Sequence, residues 1–151
     1  MLIFVYGSLR KGFHNDIYLK DAEFIGNFQT LEKFYMYSYK SYPFPYILRK
    51  KLEKCTSEPI QIQGEVYKIN ESILKRLDVL EGHPDFYKRQ EIEVESNTEK
   101  LIVESYILEN DKILDEINDG IETLFVLISG GDWKRAIEEK DQKPYLPCTG
   151  R

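Results

Sequence analysis

A turn that could bind an anion follows the first apolar run of the chain. Residues Tyr6–Gly12 read YGSLRKG. Gly7 allows a sharp turn where a side chain would clash, and the N–H groups after it can then converge on one anion. The motif lacks the GxxxxGK[ST] pattern of a Walker loop, and no strong helix pattern follows it. An ordinary turn after an edge strand is the alternative interpretation.

A carboxylate that could exchange protons lies at the end of the strongest helical pattern. Leu74, Leu77 and Glu81 are spaced i, i+3 and i+7, so Glu81 continues the apolar stripe of the helix. Burial and the negative end of the helix dipole both disfavour the anion and raise its pKa. Such a group can act as a general acid and base near neutral pH. Alternatively, the side chain reaches solvent at a frayed helix end, or pairs with Arg89.

Two side chains on the next predicted strand could face the same cleft. Tyr87 and Arg89 alternate onto one strand face, opposite Ile92 and Val94. They could lie beside Glu81, although a cross-strand pair between Arg89 and a glutamate is a simpler interpretation.

The other reactive side chains lack the neighbours that chemistry requires. His14 and His83 have no partner at a metal-ligand spacing and are expected at the surface. Cys55 and Cys148 form neither a disulfide framework nor a metal set, although one long-range bridge is possible. Ser8 lacks the GxSxG context of a hydrolase nucleophile. The spacing of these residues therefore predicts no metal site.

The elements that must position these groups form an α+β pattern. Glu71–Leu80 is the clearest helix, with Asn70 as its N-cap and Gly82 suited to a left-handed C-terminal position. The clearer strands are Leu2–Tyr6, Gly64–Ile69, Tyr87–Glu95 and Leu101–Glu109. Weaker strand patterns cover Glu23–Gln29, Glu32–Tyr39 and Pro45–Arg49. Tyr42–Tyr46 (YPFPY) is either β-edge packing or a rigid cleft wall.

The remaining segments give weaker signals. Asn15 or Asp16 could cap a short helix that runs through Lys20. Further along, a helical spacing joins Ile113, Leu114, Ile117 and Ile121, and Asp119–Gly120 could break this segment. Leu124–Ile128 is a short apolar run. Trp133–Lys140 could be a last helix. The tail from residue 143 is expected to be irregular. A mostly antiparallel, curved or closed sheet is the predicted architecture.

Composition limits the class of protein. The chain has 151 residues, 42% hydrophobic, with a net charge of −5 and 11 Tyr and 8 Phe but one Trp. These values predict one soluble domain over residues 1–151 with a sheet-rich core. The acidic balance argues against nucleic acid as a partner. No apolar run is long enough for a membrane span or signal peptide, so a cytoplasmic protein is expected.

Four motifs, in order, resemble the γ-glutamylcyclotransferase-like family, which includes γ-glutamylamine cyclotransferases. They are FVYGSLR (Phe4–Arg10), GEVYKI (Gly64–Ile69), LDVLEG…YKR (Leu77–Arg89) and ISGGDWKR (Ile128–Arg135). The resemblance extends from about residue 3 to 135 and implies a small mixed β-barrel with flanking helices. In that fold SGGDW would close the chain against the barrel, with Trp133 buried and Asp132 capping the last helix. The stretch Asn110–Thr123 looks longer than in short bacterial relatives.

The resemblance also implies roles for individual residues. The backbone of Gly7, Ser8 and Leu9 would hold the γ-glutamyl part of a substrate, with Tyr6 and Tyr87 also in the binding site. Glu81 would be the general acid/base of a carbon–nitrogen lyase or acyltransferase. The substrate's own α-amine attacks its γ-carbonyl, so no protein nucleophile, metal or cofactor is needed. The products are 5-oxoproline and a free amine.

Three functions remain open at this point. The first is a cyclotransferase acting on a small γ-glutamyl amine or peptide, as a monomer or homodimer with no membrane or nucleic-acid partner. The second uses Glu81 to remove a γ-glutamyl group from a larger biosynthetic intermediate. The third is a non-catalytic module in which the YGSLR loop binds a small carboxylate metabolite.

Overall fold

A computed structural model describes residues 1–39, 45–53, 58–120, 125–128, 130–138 and 145–147 of the chain. These residues form a 3-10 helix at Asp16–Leu19 and the following strands and α-helices: β1 (Leu2–Val5), β2 (Glu23–Tyr39), β3 (Pro45–Leu48), β4 (Ile60–Lys68), α1 (Glu71–Glu81), β5 (Tyr87–Glu95), β6 (Lys100–Leu108), α2 (Asp111–Gly120), β7 (Phe125–Ile128), α3 (Trp133–Glu138) and β8 (Tyr145–Pro147).

Five strands close into a barrel. Strand β1 lies between β4, to which it is antiparallel, and β6, to which it is parallel. Strands β6, β5 and β2 follow by antiparallel pairing, and β2 then pairs with β4 to complete the ring. The single parallel pair within this ring makes the barrel mixed. The expected α+β fold, a small mixed β-barrel with flanking helices, is confirmed.

The long strand β2 connects the barrel to a second sheet. Its first part pairs with β4 and β5, and its last part pairs with β3 and β7, while β8 pairs with β7. The sequence predicted two strands, Glu23–Gln29 and Glu32–Tyr39, which is wrong. A register shift between Gln29 and Lys33 bends one continuous strand instead, and the Thr30 hydroxyl donates to the Glu32 carbonyl at 2.6 Å within the bend.

The apolar side chains divide into two clusters. All five barrel strands contribute to the interior one, which contains Phe4, Phe28, Ile62, Val66, Ile92, Val94, Val103 and Ile107. Because strand side chains alternate between faces, the other face of these strands supplies a second cluster. Helix α1 covers that face with Ile73 and Leu77, which are 2% and 0% exposed.

Helix α1 begins and ends at the predicted signals. The Asn70 side chain accepts a hydrogen bond from the Ile73 N–H, and Gly82 adopts the left-handed conformation at φ 66°. The helix includes Glu81, one residue beyond the predicted end. Glu81 is thereby held in regular structure at the last position of the helix.

The described part of the SGGDW segment, residues 130–133, packs against the barrel. The Gly131 carbonyl accepts from the Gln63 N–H of β4 at 2.8 Å, and Trp133 is 2% exposed. The Asp132 carboxylate accepts from the Arg135 N–H at 3.3 Å, which caps α3. Both expectations for this segment, burial of Trp133 and capping by Asp132, are confirmed.

Several boundaries differ from the predicted ones. The short helix after the YGSLR loop is a 3-10 helix in which the Asn15 side chain does not act as a cap. The tail is not wholly irregular, since Tyr145–Pro147 forms a strand. Among the described residues helix α2 ends at Gly120, within the Asp119–Gly120 pair at which the sequence predicted a break. Cys55, Cys148, Ile121 and Lys140 lie outside the described residues.

Among the helices formed by the described residues, none has the length and apolar content to cross a membrane.

Candidate functional site

A cleft of about 530 Å³ lies between the turn after β1, the end of α1, and the start of β5. All six predicted site residues line it: Tyr6, Gly7, Ser8, Leu9, Glu81 and Tyr87. Pro45 and Tyr46 of β3 form another part of the wall, so the described end of the YPFPY segment is a cleft wall. The structure therefore brings together Leu9 and Glu81, which are more than seventy positions apart in the sequence.

The loop formed by Gly7, Ser8 and Leu9 is tightly constrained. A Cβ atom at Gly7 would lie 2.7 Å from Cδ of Pro45, so no larger residue fits without movement. The Ser8 carbonyl accepts from the Asn15 N–H at 3.0 Å, and the Ser8 hydroxyl accepts from the Asn15 amide at 2.9 Å. Within the described part of the chain, no hydrogen bond uses the N–H group of Ser8 or Leu9. These two donors remain available to a ligand.

Glu81 lies within the same cleft, at the C-terminal end of α1. Removal from solvent raises the pKa of its carboxyl group from 4.5 to about 7. Both alternatives for this residue are wrong. The side chain does not extend freely into solvent, and Arg89 pairs instead with Asp78 at 2.9 Å and with Glu104 at 3.4 Å.

Two buried tyrosines border Glu81. The Tyr6 hydroxyl donates to the Tyr106 carbonyl at 2.7 Å, and the Tyr87 hydroxyl donates to the Pro45 carbonyl at 3.0 Å. Burial raises the pKa of both hydroxyls well above the ordinary value, and the charge of Glu81 adds to the effect. Both therefore remain neutral at the pH at which Glu81 titrates.

A polar network fixes the last turn of α1 against the barrel. The guanidinium of Arg89 donates to both carboxylate oxygens of Asp78, at 2.9 and 3.3 Å, and the Tyr106 hydroxyl donates to one of them at 2.6 Å. His83 was expected at the surface but is half-buried, and its Nδ1 accepts from the Arg89 N–H at 2.9 Å. His14, by contrast, is exposed at the rim of the cleft.

Sequence reasoning missed the role of Arg10, the last residue of the YGSLR motif. Its side chain is buried and forms an ion pair with Glu65 of β4. The partners are 55 residues apart, so spacing gave no signal. The only available clue was that two motifs of the family resemblance, FVYGSLR and GEVYKI, contain residues of opposite charge, Arg10 and Glu65.

The described residues contain no cluster of three or more His, Cys, Asp or Glu side chains that could hold a metal ion. The cleft thus offers one titratable carboxyl group, two free backbone donors and two neutral tyrosines. This set can bind a small anion and move a proton at one carboxyl group.

Residues 3–135 match the profile of the family described as gamma-glutamyl cyclotransferase, AIG2-like. The match covers most of the 151 residues, and the chain belongs to this family of enzymes.

Known relatives agree with this assignment. A Methanocaldococcus jannaschii protein provisionally named a gamma-glutamylcyclotransferase is 47% identical over 93 residues, which are 61% of this chain and 70% of that protein. The gamma-glutamylaminecyclotransferase C of Danio rerio is 34% identical over 98 residues, 62% of this chain and 61% of that protein. The crystal structure of a mouse AIG2-like protein has a TM-score of 0.59 at 26% identity, covering 70% of this chain and 75% of that one.

Proposed function

We propose that this protein is a cytoplasmic cyclotransferase that converts a small γ-glutamyl amine or γ-glutamyl peptide into 5-oxoproline and a free amine, with Glu81 as the general acid/base. The observation that supports this most strongly is the position of Glu81. It is a carboxyl group with a pKa of about 7, in the same cleft as the unpaired N–H groups of Ser8 and Leu9. Family membership supplies the reaction class.

The proposed reaction begins with a proton transfer. The Glu81 carboxylate takes a proton from the substrate's α-ammonium group, which makes the nitrogen nucleophilic. The nitrogen then attacks the γ-carbonyl carbon of the same molecule, and a five-membered ring forms. Because both reacting groups belong to one substrate, folding it into the attacking geometry provides much of the acceleration.

The second half of the reaction returns the proton. Attack on the γ-carbonyl produces a tetrahedral intermediate with a negatively charged oxygen, which in this proposal the N–H groups of Ser8 and Leu9 stabilise. The Glu81 carboxylic acid donates its proton to the leaving nitrogen, and the original amide bond breaks. The ring nitrogen still carries a second proton after its attack, and this proton passes to the released amine, which leaves as an ammonium ion. The products are 5-oxoproline, the protonated amine and the regenerated Glu81 carboxylate.

The aromatic walls have a separate role in this proposal. Tyr6 and Tyr87 are fixed by hydrogen bonds to backbone carbonyls, so their rings provide rigid surfaces on either side of the γ-glutamyl chain. Their neutral hydroxyls do not compete with Glu81 for the proton. Water-poor surroundings also maintain the raised pKa of the carboxyl group.

The test is a turnover assay with a panel of substrates. The protein is incubated with γ-glutamyl-ε-lysine, γ-glutamyl dipeptides and a longer γ-glutamylated acceptor, and 5-oxoproline is measured by mass spectrometry. We expect turnover of at least one small substrate, with kcat/KM increasing with pH around a midpoint of about 7. Glu81→Gln should lower kcat by at least about 10²-fold.

A variant of an exposed glutamate in the same helix provides the control. Glu71→Gln also removes one negative charge from α1, and Glu71 is 84% exposed and does not line the cleft. This variant should retain the wild-type kcat.

A Glu81→Gln protein that retains full turnover would contradict the role of Glu81. No turnover of any substrate, together with clear binding of 5-oxoproline, would instead indicate a carboxylate-binding module. Turnover of the longer acceptor alone would indicate removal of a γ-glutamyl group during biosynthesis.

A further inference from the structure

A buried ion pair lies directly after the cleft loop in the chain. The Arg10 Nε atom is 3.0 Å from Oε2 of Glu65, and the two side chains are 7% and 5% exposed. Neither residue forms part of the reaction proposed above, and Glu65 does not line the cleft. Burying two charges costs solvation free energy, and such pairs are often no more stabilising than apolar residues of the same volume. Stability alone therefore does not explain the presence of this pair.

The contacts of Glu65 all converge on the end of the loop or support it. Its second oxygen, Oε1, accepts from the backbone N–H of Lys11 at 3.0 Å and from the Tyr67 hydroxyl at 2.8 Å. One carboxylate on a barrel strand therefore holds both the side chain of Arg10 and the backbone of Lys11. On the other side of the loop, Tyr6 follows directly from barrel strand β1.

We propose that the Arg10–Glu65 pair is a positioning device that holds Gly7, Ser8 and Leu9 in their ligand-binding arrangement. The chain is fixed to the barrel immediately before the loop by β1 and immediately after it by Glu65. The loop backbone between these two points has little freedom, so the N–H groups of Ser8 and Leu9 keep a fixed direction. The expected effect on kinetics rests on the proposed function, whereas the expected effect on loop motion does not.

Arg10 also connects the loop to the start of helix α3. Its Nη1 atom is 2.8 Å from Oδ1 of Asp132, the residue that caps α3. The planar guanidinium reaches both carboxylates at once, which a lysine ammonium on a single flexible stem does not reproduce. Arg10→Lys should therefore retain the charge but hold the loop less firmly.

The decisive variant is the double substitution Arg10→Met and Glu65→Gln. Arg10→Met leaves the buried Glu65 carboxylate without a cation, and Glu65→Gln leaves Arg10 with Asp132 as its remaining carboxylate partner, so both single substitutions should lower Tm. The double substitution removes both charges, so Tm should recover toward the wild-type value. The amide oxygen introduced at position 65 would still accept from Lys11 and Tyr67, but the side chain at position 10 would no longer be held. If the ion pair acted only on stability, hydrogen exchange in the loop and kcat/KM would return to their wild-type values together with Tm.

Amide hydrogen exchange measures the loop without any substrate. In the wild-type protein the N–H groups of Arg10 and Asn15 donate to the carbonyls of Gly7 and Ser8. We expect exchange of these two amides to be at least about tenfold faster in the double variant and in Arg10→Lys. Unchanged exchange in the double variant would overturn the proposal, whatever the activity.

The kinetic measurement completes the test. For a substrate that the wild-type protein turns over, kcat/KM should fall at least about tenfold in the double variant, since the loop donors are no longer fixed. Recovered Tm with unchanged kcat/KM would overturn the proposal. If the wild-type protein turns over no substrate, the proposed function fails, and hydrogen exchange alone decides the role of the ion pair.

An exposed ion pair elsewhere in the chain serves as the matched control. Arg49 and Glu32 are 2.6 Å apart, with side chains 31% and 43% exposed, and neither residue lines the cleft. Arg49→Met with Glu32→Gln is the same pair of substitutions. It should leave loop exchange and kcat/KM at their wild-type values, and an equal loss there would overturn the assignment to Arg10 and Glu65.

Discussion

The titration of Glu81 depends on what surrounds a single carboxyl group. Burial is the cause of its raised pKa, and Arg89, the cationic partner that the sequence suggested, pairs with Asp78 instead. The apolar stripe through Leu74 and Leu77 predicted this burial from sequence alone. The partner of Arg89 was not predictable, because Asp78 and Glu81 lie on the same turn and spacing does not distinguish them.

This environment gives stability a definite dependence on pH. The pKa of Glu81 is about 7 in the folded protein and 4.5 ordinarily, so the folded state binds its proton more tightly. The free energy of unfolding therefore decreases as pH rises from 4.5 to 7. The effect of this group is complete above pH 7 and absent below 4.5. A Glu81→Gln variant has no such titration.

Comparing the two proteins isolates the contribution of Glu81. At a pH of about 4 their stabilities should be similar, and at about pH 8 the Glu81→Gln variant should be more stable by up to about 3 kcal/mol. Urea unfolding of both proteins at the two pH values measures the difference. If Glu81→Gln is instead the less stable protein at the higher pH, the carboxylate has a favourable ionic partner and our interpretation of its environment is wrong.

At the scale of elements, the site depends on one loop and one helix end that approach each other from different parts of the chain. The motifs predicted both. They did not predict that Pro45 of β3 would pack against Gly7, since the YPFPY segment was equally consistent with β-edge packing and with a cleft wall. Continuity of β2 was also missed, because the polar residues near Thr30 resemble a turn until the register shift with β4 is known.

The contact between Gly7 and Pro45 leads to a prediction for the loop. Gly7→Val places side-chain atoms where Pro45 already lies 2.7 Å from the Cβ position, so the loop must move. We expect the affinity for 5-oxoproline, measured by calorimetry, to fall at least about tenfold, because the backbone donors lose their alignment. Gly130→Ala is the control, since Gly130 has no atom within 4 Å of its Cβ position. Equal affinities in a folded Gly7→Val protein would refute the loop assignment.

The network at the end of α1 leads to a prediction for the helix. Arg89→Met removes the guanidinium that holds Asp78, one turn before Glu81, and should lower kcat about tenfold by loosening the position of Glu81. Asn70→Ala weakens the opposite end of the same helix, at a cost of about 1 kcal/mol, and should leave kcat within about twofold. Tm and kcat are measured for both variants. A loss of kcat that simply follows Tm in both would show that Arg89 acts only on stability.

At the scale of the whole molecule, closure of the barrel joins parts of the chain that sequence patterns treat separately. Sequence patterns indicate where the barrel strands lie, although they divide β2 in two. They do not predict the pairing of β2 with β4 that completes the ring, because that pairing depends on how a twisted sheet curls. The family resemblance implied a small mixed barrel, but it gave no pairing of individual strands. The link from Arg10 to Asp132, across 122 residues, likewise depends on the closed form.

Trp133 reports on this closed form, since it is the only tryptophan of the chain and is 2% exposed. Its indole N–H has no hydrogen-bond partner among the described residues, which is consistent with apolar surroundings. Fluorescence of the native protein should therefore be blue-shifted relative to the urea-unfolded state. Because Asp132 and Arg10 connect α3 to the cleft loop, binding of 5-oxoproline should be lost at the same urea concentration as the blue shift. Identical emission in both states would contradict the burial of Trp133. Loss of binding at a clearly lower urea concentration would show that the cleft loop opens independently of the barrel.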